Sequence, residues 1–188
     1  SANALALNDS NLVKKWYDWS GNNHYGLQLD DELKPYLMNQ VGLVFNEDQL
    51  TLSELHSKLD SSNITIVTIY RSNKSDTSII TSRSKETPEN YPWIVSKTKF
   101  SSSTADTITY QQDHNHIDLK HIQILRFNTT TMDSFFNGRQ KSTSFTTLDN
   151  TDRISLGDDP TEEKRYGGTI DEVLIFNKSL TDSDIIKL

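Results

Sequence analysis

Residues 167–188 read Gly167-Gly-Thr-Ile-Asp-Glu-Val-Leu-Ile-Phe-Asn-Lys-Ser-Leu-Thr-Asp-Ser-Asp-Ile-Ile-Lys-Leu188. Residues 169–176 are β-prone and carry apolar side chains at both alternating sets of positions. Strict alternation would place Ile170, Leu174 and Phe176 on one face of a strand, and Val173 and Ile175 on the other. A strand that is apolar on both faces is covered on both faces, so this segment predicts a strand inside a layered fold.

The residues after this strand carry the signals of a short helix at the end of the chain. Thr181 is a good N-cap residue, and Asp184 stands at the N3 position of a capping box. Leu180 and Ile185 occupy the two positions of a hydrophobic staple. We therefore expect a turn and then one capped helix within residues 181–188.

Apolar alternation predicts further strands along the chain. We expect two short strands around an acidic turn within residues 41–52, and single strands at 63–70, 78–81, 94–97, 107–111, 121–128 and 154–157. Residues 131–140 predict a hairpin, because Asn137-Gly138 favours a type I′ turn, whose two central residues need positive φ. Near the start, Trp16-Tyr-Asp-Trp-Ser-Gly-Asn-Asn-His24 is interpreted as a core-facing aromatic pair, Trp16 and Trp19, beside a tight loop rather than as a binding motif.

Three of these phrases resemble the laminin-G-like, concanavalin A-like jelly-roll domains. They are the Gly-x-Ile-Asp-Glu-Val strand with its Leu-Thr-Asp-x-x-Ile helix, the Phe135-Phe-Asn-Gly138 hairpin, and the Trp-x-Asp-x-Ser-Gly-Asn opening. The phrases occur in the family's order and span almost the whole chain. The resemblance implies an all-β fold, a two-sheet antiparallel β-sandwich with a short C-terminal helix. We expect residues 1–188 to form a single domain of this kind, cut from a longer protein.

Composition excludes several functional classes. The chain of 188 residues has a formal net charge of −7 and shows no basic patch, which argues against nucleic acid and anionic membrane surfaces as partners. It has no cysteine, so disulfides, thiolate nucleophiles and cysteine metal sites are excluded. No apolar run is long enough to insert into a membrane.

The sequence shows no recognisable catalytic set. Glycosidases of this fold usually take their two carboxylates from alternate positions of one strand, and no such run occurs. Asp171 and Glu172 are adjacent, so on a regular strand they point to opposite faces. The resemblance gives Asp171 a structural role, bonding backbone N–H groups of a neighbouring loop. We therefore expect a protein that is not an enzyme, although a carboxylate pair assembled from separate strands stays open.

Two polar segments are candidates for metal binding. In Asp113-His-Asn-His116, the side chains of His114 and His116 would share a face if the segment is extended, with His121 near them, and could hold a transition metal. The favoured interpretation is a polar loop with exposed histidines. Asp158, Asp159 and Glu162 form an acidic loop that is a candidate calcium site, since calcium takes several oxygen ligands.

A rim loop is the candidate ligand site. Asn90, Tyr91 and Trp93 lie in a loop stiffened by Pro88 and Pro92, and aromatic faces with polar neighbours suit sugars. His114 and His116 could join the same rim. The function expected is a non-catalytic recognition module that binds a glycan or surface receptor, beside other domains of a longer chain. Its place would be extracellular, on a cell surface or exposed on a virion. The alternatives are a structural or decoration domain and a glycoside hydrolase or lyase with an unrecognised site.

Overall fold

The computed structural model of the protein describes residues 5–7, 10–18, 20, 22, 24–38, 42–52, 55, 59, 62–73, 77–83, 93–96, 99–102, 105–109, 119–144, 153–158 and 165–188. Within these residues, the chain forms two antiparallel sheets and one short helix. The predicted two-sheet antiparallel β-sandwich with a short C-terminal helix is therefore confirmed.

One sheet has nine described strands and the other has seven. In spatial order, the nine-stranded sheet contains β1 (Leu5–Leu7), β2 (Val13–Tyr17), β3 (Tyr25–Leu27), β6 (Leu50–Leu52), β15 (Arg153–Leu156), β8 (Ser78–Arg83), β9 (Trp93–Ser96), β10 (Lys99–Ser102) and β11 (Ala105–Thr109). The seven-stranded sheet contains β14 (Arg139–Ser144), β13 (Thr131–Phe136), β12 (His121–Asn128), β7 (Thr65–Ser72), β16 (Gly167–Phe176), β5 (Gly42–Asn46) and β4 (Tyr36–Met38). A 3₁₀ turn spans Asp31–Leu33, and α1 spans Asp182–Ile185.

The closing strand β16 lies inside the seven-stranded sheet, between β7 and β5. Its partner residues in β7 run from Ser72 opposite Gly168 to Thr65 opposite Phe176. A β-bulge interrupts this register between Ile170 and Glu172, so that Asp171 is the extra residue. The alternation expected for a regular strand therefore fails at this point.

The bulge moves Ile170 to the other face from the one predicted. Ile170 lies opposite Tyr70, and Val173 lies opposite Thr68, so both belong to the inner face of the sheet. Ile170 is fully buried in the hydrophobic core, and Val173 and Ile175 pack against that core. The prediction that Ile170 shares a face with Leu174 and Phe176 was wrong, because one inserted residue shifts the phase of a period-two pattern.

The outer face of the seven-stranded sheet is covered around Thr65 by the end of the chain. The Thr65 hydroxyl donates to the Lys178 carbonyl at 3.0 Å and accepts from the Leu180 N–H at 2.9 Å. On the same face, Val67 and Ile124 are only 2% and 6% exposed, although they lie outside the core between the sheets. The closing region is thus apolar and covered on both faces, as its sequence predicted.

Local signals around the turns also hold. In α1 the Thr181 hydroxyl accepts from the Asp184 N–H, and the Asp184 carboxylate accepts from the Thr181 N–H, both at 3.2 Å. Asn137 and Gly138 have φ values of 47° and 81°, as a type I′ turn requires. The helix has four residues, far fewer than a membrane crossing needs, and no other α-helix occurs among the described residues.

Tyr166 fixes the entry into β16. Its hydroxyl donates to backbone carbonyl oxygens, with Arg71 at 2.6 Å and Thr169 at 3.0 Å. The ring is fully buried and meets Phe45 and Tyr70 edge to face, with centroids 5.9 and 6.5 Å apart. Burial raises the pKa of the Tyr166 hydroxyl, so it remains a neutral donor.

Candidate functional site

The rim loop singled out from the sequence lies largely outside the described residues. Asn90, Tyr91, His114 and His116 fall there, so their role as a ligand site stays a prediction. Trp93 begins β9, where its backbone pairs with Ser102 in the nine-stranded sheet. Trp93 is therefore at the start of a strand, and its role in binding a ligand stays a prediction.

The histidine expected near His114 and His116 is enclosed in the sandwich. His121 is 3% exposed, and its ring stacks on Phe136 at 5.2 Å and meets Tyr70 at 5.6 Å between centroids. Its Nδ1 lies 3.1 Å from the Asn137 Nδ2. The ring is thus packed between aromatic side chains, and its relation to His114 and His116, which lie outside the described residues, stays a prediction.

Of the acidic loop considered for calcium, the structure describes Asp158, whereas Asp159 and Glu162 lie outside the described residues. The side chain of Asp158 is 3% exposed, and its Oδ2 lies 2.8 Å from Arg83 Nη2 and 3.5 Å from Arg153 Nη2. Two guanidinium groups thus already share this oxygen. Within the described part of the chain, no three acidic or histidine side chains converge as metal ligands do.

Asp171 has a structural role, but with partners other than the backbone groups expected. Its Oδ1 accepts from Arg71 Nη1 at 3.2 Å and from the Thr169 hydroxyl at 3.4 Å, and its Oδ2 lies 3.0 Å from Lys120 Nζ. The bulge turns this carboxylate, 16% exposed, toward two cations on neighbouring segments. Its charge therefore joins β16 to β7 and to the segment before β12.

A cleft of about 1250 Å³ lies between the two sheets, at the end where β16 faces the hairpin of β2 and β3. Its apolar wall is formed by Val173 and Ile175 of β16 together with Leu52, Leu55 and Leu59. These residues pack against the core, so the floor of the cleft is continuous with the interior of the sandwich.

The opposite wall of the cleft is aromatic and polar. Trp16, Tyr17 and Tyr25 line it. Trp16 packs against the core, whereas Tyr17, which is 42% exposed, and its cross-strand partner Tyr25 belong to the alternate face of this strand pair. Lys15 holds two of them, since its Nζ lies 3.6 Å from the Tyr25 ring centroid and 4.8 Å from that of Tyr17. An ammonium group over two ring faces restrains both rings, which lowers the ordering cost of stacking a ligand on them.

The loop between β2 and β3 supplies the polar edge of this wall. The Ser20 N–H donates to Asp18 Oδ1 at 2.7 Å, and Asn22 Nδ2 donates to the Ser20 hydroxyl at 2.7 Å. The loop ends are joined because the Asp18 N–H donates to the His24 carbonyl at 3.0 Å. Asp18, Asn22 and His24 therefore lie at the cleft on a loop that is organised by its own hydrogen bonds.

Three acidic residues line the cleft from two parts of the chain. Asp18 comes from the β2–β3 loop, and Asp171 and Glu172 come from the bulge of β16. Adjacent residues on a regular strand would diverge, but a bulge re-aims a side chain, and both Asp171 and Glu172 line this cleft. The prediction that they point to opposite faces was based on an unbulged strand.

Comparisons with known proteins agree on the fold. The model of the concanavalin A-like lectin/glucanases superfamily matches residues 44–186. No curated protein sequence matches the chain significantly. Three solved structures resemble it at identities that support the fold alone.

The first is the NanB sialidase of Streptococcus pneumoniae, with a TM-score of 0.60, 17% identity, and 77% of this chain and 27% of that chain covered. Domain 4 of AbnA, a GH43 extracellular arabinanase of Geobacillus stearothermophilus, solved with arabinotriose, has a TM-score of 0.56 and 13% identity, with 92% of this chain and 80% of that chain covered. Mouse laminin α1 domains LG4-5 have a TM-score of 0.54 and 14% identity, with 82% and 48% covered. The chain thus spans only about a quarter of the sialidase and half of the laminin fragment.

Proposed function

The chain belongs to the concanavalin A-like lectin/glucanases superfamily, and from this premise we propose that it is a non-catalytic module that binds a glycan in the cleft between its sheets. The observation that carries the proposal is the composition of that cleft. One wall is lined by the aromatic residues Trp16, Tyr17 and Tyr25, and the loop beside it by Asp18, Asn22 and His24. Sugars present apolar C–H faces and many hydroxyl groups, so this combination suits them.

One solved neighbour supports the proposal at the level of a module. Domain 4 of AbnA, named as a domain in complex with arabinotriose, is covered over 80% of its length. The match is therefore between two units of similar size, rather than between this chain and a small part of an enzyme. Its low identity of 13% carries the fold and not the ligand.

The state of the cleft carboxylates favours binding over hydrolysis. A glycosidase needs one carboxyl group as acid and a second as base or nucleophile. Here Asp171 is paired with Arg71 and Lys120, and Asp18 accepts hydrogen bonds from the main chain and hydroxyl of Ser20. Glu172 is exposed, and among the described carboxylates of the cleft it is the candidate for a catalytic group.

A role outside the cell, in combination with other domains, is part of the same proposal. The arabinanase neighbour is an extracellular enzyme, and the sialidase neighbour is matched over 27% of its length. The partner would be a glycan of a cell surface or matrix, with catalytic or anchoring domains in the same chain.

A glycan array followed by calorimetry tests the proposal. We expect binding to at least one saccharide class, with arabino-oligosaccharides and sialylated glycans included as probes. Tyr17→Ala should weaken that binding about tenfold or more, the equivalent of 1.4 kcal/mol. Tyr36→Ala is the matched control, because Tyr36 is also a partly exposed tyrosine on a strand but does not line the cleft.

Two results would contradict the proposal. If no saccharide binds, a structural or decoration role becomes the better account of the domain. If a saccharide binds and reducing sugar is then released, and Glu172→Gln abolishes that release, the protein is a hydrolase.

A further inference from the structure

The outer face of the nine-stranded sheet carries polar side chains in two adjacent rows. In one row Ser155 of β15 lies directly opposite Thr81 of β8, and in the next Arg153 lies opposite Arg83. Neighbouring strands are about 4.8 Å apart, so each pair brings its two side chains into one small area. Ile154 between the rows is 1% exposed and points into the core, so the two rows point outward.

Three polar atoms of this group are buried without a hydrogen-bond partner: Thr81 Oγ1, Ser155 Oγ and Arg83 Nε. Thr81 is 0% exposed and Ser155 is 1% exposed. Most buried polar groups are hydrogen-bonded, because leaving one unsatisfied costs about 1–3 kcal/mol. Thr81 and Ser155 lie opposite each other, and Arg83 lies two residues along the strand from Thr81, so the three atoms indicate a cluster that a ligand could satisfy.

The charges of the cluster favour an anion. Like charges directly opposite each other on a sheet are destabilising. The guanidinium groups of Arg83 and Arg153 face one carboxylate, that of Asp158, which they share at 2.8 and 3.5 Å. One positive charge therefore remains in excess within this group, and Arg153, whose side chain is 43% exposed, is the member of the group in contact with solvent.

We propose that Thr81, Ser155, Arg83 and Arg153 form a binding site for an oxyanion, the carboxylate of an acidic sugar or a sulfate group. Hydroxyl and guanidinium donors match acceptor oxygens, and an anion would balance the second guanidinium charge. The same two guanidinium groups would repel a divalent cation at Asp158. This site lies on the outer face of its sheet, so the proposal does not rest on glycan binding in the cleft.

Calorimetry with sodium glucuronate and with sodium sulfate, at ionic strength held constant with chloride, tests the site. We expect one anion per chain to bind, and neutral glucose not to bind at the same concentrations. Sulfate without glucuronate would identify a sulfate site, and the reverse would identify a carboxylate site. Absence of binding by both anions overturns the proposal.

Variants then assign the binding to these residues. Arg153→Gln should weaken anion binding at least tenfold, and so should Thr81→Val combined with Ser155→Ala. Arg139→Gln, an exposed arginine on an edge strand of the other sheet, should leave it unchanged. Equal affinity in Arg153→Gln and in the unmutated protein overturns the proposal, even if the double variant fails to fold. Equal loss in Arg139→Gln would reveal unspecific attraction and overturn it as well.

Discussion

Part of the outer face of the seven-stranded sheet is covered by the end of the chain, whereas the outer face of the nine-stranded sheet keeps buried polar atoms without partners. On the first, Thr65 binds the main chain of Lys178 and Leu180, and Val67 and Ile124 are buried. On the second, the hydroxyls of Thr81 and Ser155 are buried and unsatisfied. Both sheets belong to the same sandwich, so the fold by itself does not explain why one outer face is covered and the other has unpartnered polar atoms.

This difference indicates that one sheet contributes mainly to stability and the other offers groups for binding. A surface region whose hydrogen bonds and apolar contacts are made within the chain contributes to stability. A region with unsatisfied donors loses some stability and leaves those donors for a ligand, as proposed above. We therefore expect substitutions in the seven-stranded sheet to lower the free energy of unfolding strongly, and those at the cleft or the arginine pair to change binding instead.

The largest effect is expected for Gly168→Ala, at the start of β16. Gly168 has φ of +143°, and an added Cβ would lie 2.1 Å from the Arg71 carbonyl oxygen and 2.8 Å from the Ser72 Cα. Backbone atoms of a central strand cannot give way as a flexible side chain can, so we expect a loss of more than about 4 kcal/mol or failure to fold. Denaturant unfolding of the purified variant measures it.

Gly138→Ala is the control for that substitution. Gly138 has φ of +81°, but no heavy atom lies within 4 Å of an added Cβ. Only backbone strain remains, which costs about 1–2 kcal/mol. Equal losses in the two variants would show that β16 is not held against β7 as closely as the structure indicates.

The second prediction compares the loss of stability at a core residue with the loss at a cleft residue that lies opposite it on the neighbouring strand. Ile66 and Ile175 lie opposite each other on the inner face of the seven-stranded sheet, and Ile66 is 1% exposed. Ile66→Ala should cost about 4 kcal/mol, within the range for a buried isoleucine. Ile175 lines the cleft and is only partly buried, so Ile175→Ala should cost about 2 kcal/mol.

Equilibrium unfolding in denaturant compares the two variants, provided that their m-values agree. If Ile175→Ala costs as much as Ile66→Ala, the cleft is closed at that residue and cannot serve as a ligand site there.

The third effect compares one arginine from each sheet. Arg126 of β12 has 12% side-chain exposure and binds Asp133, which is 10% exposed, at 2.7 Å, and its Nη1 donates to the Leu180 carbonyl at 3.0 Å. Arg126→Met would leave the Asp133 carboxylate buried without its cation, at a cost of about 3 kcal/mol. Arg153→Gln, at 43% exposure on the nine-stranded sheet, should cost under about 1 kcal/mol, because Asp158 keeps Arg83.

Thermal or denaturant unfolding gives both values. An Arg126→Met/Asp133→Leu double variant should recover part of the lost stability, since it also removes the buried carboxylate that Arg126→Met leaves unpaired. If Arg153→Gln were the more damaging change, the division between a stabilising sheet and a binding sheet would be wrong.

The seven-stranded sheet was also the more predictable from sequence. Strand β12 was predicted at its observed bounds, and the hairpin of β13 and β14 was predicted from Asn137-Gly138. These strands are long enough for alternation to be counted, and they are joined by a local turn. The nine-stranded sheet contains three-residue strands such as β1 and β3, which were missed. So short a segment shows no period, and only its distant partners make it a strand.

The sites were less predictable because they depend on register. Trp16 packs against the core as expected, whereas Trp19, the other member of the predicted pair, lies outside the described residues. Tyr17, next to Trp16, lines a cleft whose other wall comes from β16, far away in the sequence. The bulge at Asp171 could have been suspected from two consecutive polar residues within an apolar strand. The pairing of Ser155 with Thr81 joins strands far apart in the chain, and neither residue type is unusual alone.

The smallest effect concerns the helix that closes the covered face. Hydrogen bonds from the Thr181 hydroxyl and N–H lower the pKa of Asp184 from its ordinary value of 3.8. A carboxyl group whose pKa is lower in the folded than in the unfolded protein stabilises the fold when it is ionised. This contribution is complete above the pKa of the unfolded protein and disappears as the pH falls through the pKa of the folded protein.

The stability difference between the unmutated protein and Asp184→Asn should therefore be constant near neutral pH and shrink below about pH 4. Unfolding at a series of pH values measures that difference, with Ser183→Ala as an uncharged control whose difference should not vary with pH. Because Asp184 is exposed, we expect only a small change in the free energy of unfolding. The covered face should owe its stability to Thr65, Arg126 and Leu180, and a large acid-sensitive loss from Asp184 alone would show that the cap, rather than the packed face, holds the end of the chain in place.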